Sequence, residues 1–280
     1  EPLNQWKPDY LATYASLAAS HYTPVRLVGV VGRDYPDSAI ERFLGHDVDT
    51  GGLEIDTSGD TFHWEGRYSP DLASRESLAT DLNVFARFSP KIPAAFRQSR
   101  WVLLGNIHPV LQLAVLDQIE KPALVVADTM NFWIGGERAA LLKTLARVAL
   151  LVINDEEARE LSGEHNLVRA ARGLLRLGPR VAIVKKGEHG ALLFEGGDVF
   201  SAPAYPTTEV VDPTGAGDTF AGGLIGCIAS RGDAGHATLR RAVIFGSAMA
   251  SFCVEGVSTT RIQSVTRPEI DARIERFRSL

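Results

Sequence analysis

The sequence predicts an α/β fold, with a doubly wound, mostly parallel sheet that carries a small β lid. The 280 residues are 45% hydrophobic, which is enough for a sizeable core in one large domain. From about residue 100, short apolar runs alternate with amphipathic helical segments, as in a parallel sheet covered on both faces. Between about residues 53 and 88 the pattern becomes polar and β-like, which indicates a small inserted sheet. We therefore expect residues 1–280 to form a single α/β domain.

The first hundred residues contain few regular elements. Residues 25–31 are predicted to form a buried strand, and residues 37–44 a short helix. The centre of the polar β segment is residues 61–68.

The remaining residues predict a regular succession of strands and helices. Four apolar runs predict parallel strands: 101–104, 123–127, 149–153 and 181–185. Helices are predicted at 110–119, at 137–147, and from Asp155 and Leu167. Residues 191–194 and 199–202 flank a tight Gly-Gly turn and predict a hairpin. Three more helices follow: one that ends near Ser230, one over 234–254 and one that starts at Thr266 with a capping box.

Composition and charge restrict the class of partner. The net charge of −5 and the lack of a basic stripe argue against nucleic acid. Cys227 and Cys253 lie in apolar helical stretches and are predicted to be core residues, which fits a reducing compartment. We find no apolar run that is long enough to cross a bilayer and no charged-then-apolar leader. We expect a cytoplasmic protein without a membrane partner.

The most informative stretch is residues 211–223, where a small-residue turn directly precedes an apolar helix. The start of a helix attracts anions, so we predict that Gly215, Ala216 and Gly217 form an anion hole. Asp218 lies in the first turn of this helix. It either complements the helix dipole or takes a proton from an alcohol as a general base, and its glycine-rich, apolar context favours the base.

Polar residues also follow several predicted strands, at the sheet edge where ligands bind. Asn154 and Glu157 are suited to cap a helix and to order Mg²⁺ through water, and both roles are compatible. Lys185 and Gly187 belong either to a turn with solvated lysines or to a nucleotide contact.

Two asparagines occupy similar positions. Asn106 and Asn131 follow two other strands, where each either caps the next segment or faces a substrate. We include both among the candidate substrate-binding residues.

With these motifs in hand, the chain resembles the ribokinase family, also called the PfkB family of carbohydrate and nucleoside kinases. Residues 212–220 match its C-terminal motif almost completely, and the weaker landmarks follow in the right order at 29–34, 154–157 and 187–190. The resemblance covers about residues 12–260. It implies a ribokinase-like sandwich and transfer of the γ-phosphoryl group of ATP to a hydroxyl of a sugar or nucleoside.

The resemblance also implies roles for the phosphate-binding residues. Asp218 resembles the catalytic base, and Gly215, Ala216 and Gly217 resemble the anion hole. The positions similar to the family's Mg²⁺, ATP and K⁺ contacts are Asn154 and Glu157 for Mg²⁺, Lys185, Gly187 and Thr214 for ATP, and the backbone carbonyls of Asp212 and Thr214 for a monovalent cation. Many members of the family have threonine where Lys185 stands.

The acceptor side departs from the family pattern. Asp9 and Tyr10 stand where a Gly-Gly pair is usual, Tyr14 stands where asparagine is common, and the family's opening strand with its acceptor-binding acid is not found. The polar β segment resembles the family's lid, so Phe62, Trp64 and Arg67 are expected to face the acceptor. Tyr14, Phe62 and Trp64 are suited to stack on a base or a sugar, with a small preference for a nucleoside.

Two further alternatives stay open at the level of sequence. One is a sugar- or nucleoside-binding or sensing protein that keeps the fold without catalysis. The other concerns assembly, for which a monomer and a homodimer are both compatible with the sequence.

Overall fold

The computed structural model describes residues 11–68 and 75–280. Asp9 and Tyr10 lie outside the described residues. Arg67 belongs to a described strand, but its side chain also lies outside the described part.

The N-terminal part forms two small sheets. Helix α1 (Leu11–Ser20) precedes strand β1 (Val25–Gly32), helix α2 (Asp37–Gly45) and strand β2 (Val48–Asp56). Strands β1 and β2 pair in parallel. Strands β3 (His63–Tyr68) and β4 (Arg75–Asp81) pair in antiparallel fashion and form the predicted lid.

A six-stranded sheet forms the centre of the molecule. Its strands are β5 (Trp101–Leu104), β6 (Leu124–Asp128), β7 (Leu150–Asn154), β8 (Val181–Lys185), β9 (Ala191–Glu195) and β10 (Asp198–Ala202). The order is β10-β9-β8-β7-β6-β5; β5 to β8 are parallel, and β9 and β10 are antiparallel additions. The predicted fold class, α/β with a mostly parallel sheet and a small β lid, is confirmed.

Helices cover both faces of this sheet. On one face lie α3 (Pro109–Leu116), α4 (Asn131–Gly136), α5 (Arg138–Leu145), α6 (Asp155–Ser162) and α7 (Leu167–Leu175). The other face is covered by α8 (Ala216–Arg231) and α9 (His236–Val254). Two short helices, α10 (Thr260–Ser264) and α11 (Arg267–Arg276), end the chain.

The two layers of helices explain the continuous apolar strands. Leu150, Leu151, Val152 and Ile153 of β7 are each 0% exposed, because alternate side chains enter the cores on opposite faces of the sheet. Burial of these side chains supplies most of the stabilising free energy of such a fold.

Several elements differ from the sequence predictions, among them strand β2 and the short helices α4 and α10. Strand β2 starts at Val48 and ends at Asp56, so residues 53–56 pair with β1 instead of belonging to the lid. The polar pattern of residues 53–56 suggested the lid because β2 is half-exposed, and its solvent-facing side chains are polar in the same way as those of a lid strand. Helix α4 was not predicted because six residues give too short an apolar period.

Among the described residues, α9 is the one helix with the length and apolar composition to cross a membrane. It packs against α8 and α11, and more than half of its apolar window is buried inside the protein. This burial is typical of a core helix.

Candidate active site

The glycine turn before α8 has a backbone that only glycine adopts easily. Gly215 has φ 76° and ψ 0°, in the left-handed region. A Cβ at this position would lie 2.4 Å from the ring of Tyr14, so the turn also lacks space for a side chain. The amide of Thr219 donates to the carbonyl of Gly215 at 2.8 Å and starts the helix. The turn therefore meets the positive end of α8, where an anion is stabilised.

Asp218 occupies the first turn of α8 and is half-buried. It is followed by Thr219 and Phe220, which are buried in the core. The side chain at 218 is therefore neither sealed in the interior nor fully solvated, as a proton acceptor at the edge of a cleft requires.

Tyr14 has a different place from the one predicted. Its side chain is 3% exposed and belongs to the core between α1, β1 and α9. Because its ring lies under Gly215, it supports the glycine turn. The prediction that Tyr14 stacks on a substrate base is therefore wrong. The protein covers the ring, so that neither face is accessible to a substrate.

Three polar residues meet where three neighbouring parallel strands end. Asp128 ends β6, Asn154 ends β7 and Lys185 ends β8. Asn154 and Lys185 are register partners, and Lys185 Nζ lies 3.7 Å from Asp128 Oδ2. The sheet thus gathers an ammonium, an amide and a carboxylate at one edge. Asp128 was expected at the end of this strand with Asn131, but it was not among the predicted site residues, although its position after an apolar run was a usable signal.

Lys185 connects this edge to the glycine turn. A Cβ added to Gly217 would lie 3.0 Å from Lys185 Nζ. The structure therefore brings together two segments, residues 185 and 215–218, that the sequence separates by 30 residues.

Asn154 and Glu157 form a complete capping box at the start of α6. Asn154 Oδ1 accepts the Glu157 amide at 2.8 Å, and Glu157 Oε2 accepts the Asn154 amide at 3.0 Å. Glu157 is 3% exposed, which is unusual for a carboxylate. The helix-capping role is present, and it holds both oxygen-bearing side chains in fixed positions.

Gly187 begins a short turn directly after β8. Its φ is 55°, and a Cβ there would meet nothing within 4 Å. The turn leaves open space on this side of residue 187, beside the end of the strand that carries Lys185.

Asp212 organises a second turn next to the glycine turn. Its Oδ1 accepts the Thr214 amide at 2.9 Å, and its Oδ2 accepts the Ser258 amide at 3.3 Å. The carbonyl of Thr214 accepts a bond from Cys253 Sγ at 3.5 Å. The segment after α9 is therefore tied to residues 212–214.

Ser258 is a residue that sequence reasoning missed. It is 6% exposed, its φ is 57°, and within the described parts of the chain its buried Oγ has no hydrogen-bond partner. A buried hydroxyl without a partner is costly, and a non-glycine residue with this φ is strained. Apart from a helix stop at Gly256, no pattern in the sequence pointed to this residue.

The aromatic residues of the lid region lie beside an apolar pocket. Phe62 and Phe85 form an edge-to-face pair with ring centroids 6.0 Å apart. Phe85 lines a pocket of about 240 Å³. The other residues that line it are Leu82, Ala86, Phe88, His108, Val110, Leu111 and Trp133.

The two asparagines predicted to contact substrate have protein partners. Asn106 Oδ1 accepts the indole N–H of Trp133 at 3.0 Å, which fixes one wall of this pocket. Asn131 lies at the exposed start of α4 and donates to Glu160 at 2.6 Å. Trp64 is half-buried on β3, where its ring lies over Gly66. The substrate roles of Asn106, Asn131, Phe62, Trp64 and Arg67 stay predictions.

The fold is thus a doubly wound α/β sandwich in which a glycine turn precedes helix α8 and an acid, Asp218, lies in the first turn of that helix. The family model described as the pfkB family of carbohydrate kinases matches residues 112–266, more than half of the chain. The chain belongs to this family. It is an ATP-dependent sugar or nucleoside kinase whose acceptor is an alcohol group.

Similar proteins include several nucleoside kinases. The cytidine kinase of Thermococcus kodakarensis is 29% identical over 220 residues, which are 77% of this chain and 76% of that protein. A putative ribokinase II from E. coli, solved with ATP and Mg²⁺, has a TM-score of 0.76 at 22% identity and covers 99% of this chain and 93% of its own. The nucleoside kinase of Burkholderia thailandensis, solved with inosine, has a TM-score of 0.75 at 18% identity, with 96% and 88% covered.

Proposed function

We propose that this kinase transfers the γ-phosphoryl group of ATP to a hydroxyl of a nucleoside. The observation that carries the proposal is the arrangement of Gly215, Asp218 and Lys185: a helix start, a half-buried carboxylate and an ammonium lie around one turn. Such a set provides a proton acceptor next to a place where negative charge is stabilised. The similarity to a cytidine kinase supports a nucleoside as the acceptor.

In this mechanism Asp218 takes the proton from the acceptor hydroxyl. The hydroxyl oxygen forms a bond to the γ-phosphorus while the bond from that phosphorus to the bridging oxygen breaks, and ADP leaves. The backbone amides of 215–217 and the dipole of α8 stabilise the charge on the phosphoryl oxygens. Each part of the glycine turn thus has a role in the same step.

Asn154 and Glu157 are the proposed residues for Mg²⁺. Their amide and carboxylate oxygens are donors that Mg²⁺ prefers, and an oxygen that accepts one capping bond still has a second lone pair. Mg²⁺ supplies neutralisation of phosphate charge when it is bound. The capping box holds the two side chains at the strand edge next to Lys185, and Gly187 offers open space beside them for ATP.

A monovalent cation such as K⁺ is proposed beside Asp212 and Thr214. The buried Ser258 hydroxyl without a partner in the described residues supports this site, because a cation would satisfy that oxygen. The backbone carbonyls of Asp212 and Thr214 are the other proposed ligands. Thr214 would then act beside the anion hole through its backbone.

The aromatic pocket is proposed to hold the base of the acceptor. Its walls contain Phe85, Phe88, His108 and Trp133, which offer flat apolar faces next to polar ring nitrogens. Aromatic rings stack on planar bases, and such pairs gain about 0.5–1.5 kcal/mol beyond area burial. Phe62 contacts Phe85 and so connects the lid with this pocket.

The test is a phosphorylation assay with Mg²⁺ and ATP over cytidine, other nucleosides, pentoses and hexoses. We expect turnover with a nucleoside and a loss of kcat of about 10³-fold or more in Asp218→Asn, since an essential proton acceptor is removed. Asp198→Asn, an exposed acid on β10, is the matched control and keeps its activity. A kcat for Asp218→Asn within about tenfold of the wild type contradicts the assignment of the base. Tight nucleoside binding without turnover of any acceptor supports the sensing protein instead.

A further inference from the structure

The ammonium of Lys185 lies against one particular residue of the glycine turn, Gly217. A Cβ on Gly217 would be 3.0 Å from Nζ and 3.9 Å from Cε. The side chain of Lys185 is only 17% exposed, whereas lysine is normally a solvated surface residue. The surrounding protein therefore holds the ammonium at this point of the turn.

Asp128 forms an ion pair with the ammonium of Lys185. Its Oδ2 lies 3.7 Å from Lys185 Nζ, and its side chain is 7% exposed. The other oxygen, Oδ1, accepts the amide of Thr129 at 2.9 Å, which fixes the orientation of the carboxylate. A carboxylate this deeply buried requires an opposite charge or hydrogen bonds. Lys185 and Asp128 therefore form a charge pair between β8 and β6, across the end of β7.

We propose that Lys185 binds the terminal phosphoryl group of ATP, the group that is transferred, and that Asp128 is its positioning residue. This inference rests on the proposed function and makes one of its contacts specific. Gly217 directly precedes Asp218, the proposed proton acceptor. The transferred group must lie between the acceptor oxygen next to that base and the departing ADP. A cation at Gly217 consequently faces the terminal phosphate rather than the adenosine end of ATP.

The charges of the pair suit this role. With no nucleotide bound, the Asp128 carboxylate balances the ammonium within the protein. When a phosphate arrives, an ammonium with three donors can bond to phosphoryl oxygens while Asp128 retains one contact. Lys185 stays protonated throughout and donates no proton to the products; the acceptor's proton goes to Asp218. The ammonium stabilises the charge on the phosphoryl oxygens as the group moves.

Nucleotide binding tests the contact without any turnover. Affinities for the Mg²⁺ complexes of ADP and of the non-hydrolysable ATP analogue AMP-PNP are measured by calorimetry. We expect Lys185→Met to weaken AMP-PNP binding by about 10- to 100-fold, the value of a charge-assisted hydrogen bond, and ADP binding by less than about threefold. Lys186→Met is the matched control, because Lys186 neighbours Lys185 in sequence, and it changes neither affinity. An equal loss for both nucleotides, or no loss, overturns the inference.

Asp128→Asn tests the positioning role. We expect it to weaken AMP-PNP binding about threefold or more with little effect on ADP, and Asp128→Glu to restore part of the loss, since it keeps the charge. In the Lys185→Met background, Asp128→Asn adds no further loss, because both changes act through one ammonium. Lys185→Met alone leaves the buried Asp128 carboxylate without the ammonium beside it. The double variant has no carboxylate at position 128, so it does not have this defect. Additive losses, equal for ADP and AMP-PNP, show that Asp128 is merely structural and overturn its assignment.

The same experiments separate this inference from the proposed function. If Lys185→Met weakens AMP-PNP binding but not ADP binding, while the wild type phosphorylates no alcohol, the proposed function fails and the Lys185 contact remains. If the wild type phosphorylates nucleosides and Lys185→Met binds both nucleotides normally, the function holds and this inference fails. A wild type that binds neither nucleotide overturns both.

Discussion

The hydroxyl of Thr61 donates a hydrogen bond to Oδ1 of Asp34 at 2.5 Å, and the same oxygen accepts the Thr61 amide at 2.8 Å. The hydroxyl also accepts the amide of Gly32 at 2.9 Å, and Thr61 is 2% exposed. The carbonyl of Thr61 accepts a bond from Asn83, which follows β4. Thr61 therefore connects the end of β1 with both the entry and the exit of the lid.

Thr61→Val is expected to lower the free energy of unfolding by about 1–3 kcal/mol, because it removes the hydroxyl that bonds to both the Gly32 amide and the Asp34 carboxylate; Asp34 keeps its bond from the amide of residue 61. The KM for the acceptor should rise more than the KM for ATP, because the lid strands β3 and β4 lose their attachment to the end of β1. Urea unfolding and steady-state kinetics measure both effects. Thr61→Ser keeps the hydroxyl and is the control. If the two variants are equally stable, the hydrogen bonds are not what holds the lid.

The left-handed turn at Gly215 gives a second prediction, because α8 has a glycine of similar backbone at each end. Gly215 has φ 76° and Gly232 has φ 71°, but only Gly215 lies against the Tyr14 ring. Gly232→Ala should cost about 1–2 kcal/mol, the cost of a left-handed alanine. Gly215→Ala should cost more and abolish catalysis, because a Cβ 2.4 Å from the ring displaces the turn. Equal costs, with activity retained, contradict this account. Urea unfolding and kcat provide the comparison.

Two capping boxes in the described part of the chain allow the proposed Mg²⁺ role of Glu157 to be separated from helix capping. Glu157 caps α6, and Glu269 caps α11 in the same way. Glu157→Gln keeps an oxygen for the capping bond but removes the charge. We expect it to raise the Mg²⁺ concentration for half-maximal activity by about tenfold or more, as loss of one charged contact to a metal site implies. Glu269→Gln, far from the strand edge in sequence, should leave the Mg²⁺ dependence unchanged. A similar Mg²⁺ dependence in both variants removes Glu157 from the metal site.

The lowered pKa values of two histidines predict how the stability of the fold depends on pH. Burial lowers the pKa of His21 and also that of His46, and their ring centroids are 6.0 Å apart. The hydrogen bond between His21 Nε2 and the carbonyl of Ile262, at 2.8 Å, raises the pKa of His21, but burial has the larger effect, and the charges of His46 and Arg267 also lower this pKa. The fold therefore favours neutral rings. Below about pH 6.5, the ordinary histidine pKa, the unfolded chain binds protons that the folded chain does not, so stability falls as the pH decreases.

The measurement is the urea midpoint at pH 7.5 and at pH 5.5. The wild type should unfold at lower urea at pH 5.5, and His21→Asn should show a smaller difference between the two values. His165→Asn, at an exposed position, is the control and keeps the wild-type difference. If His21→Asn retains the full difference, His21 is not the source of the pH dependence.

Much of the local structure around the proposed phosphate site was predictable from sequence because it consists of local motifs. The glycine turn, the acid in the first turn of α8 and the Asn154–Glu157 capping box each lie within a few residues of chain. Short-range backbone rules therefore apply to them directly. The apolar runs of β5 to β8 likewise predicted a parallel sheet, since strands buried on both faces cannot be polar.

The contacts that join distant segments of the chain were less predictable. Tyr14 was expected to meet the substrate, yet its ring supports Gly215, about 200 residues further along the chain. Asn106 fixes Trp133, and Ser258 meets Asp212, through pairings that no local pattern encodes. An aromatic or polar side chain has similar sequence neighbours whether it faces a cleft or the core.

The amino-acid sequence by itself determined the layered α/β architecture, the glycine turn before α8 and the acid in the first turn of that helix, because hydrophobic periodicity and backbone preference act over a few residues. Only the tertiary structure decided that Lys185 and Asp128 meet at Gly217, that Tyr14 lies beneath the turn, and that Thr61 fastens the lid to β1. These relationships depend on which strand ends become neighbours in the sheet, and that order follows from the packing of the whole chain.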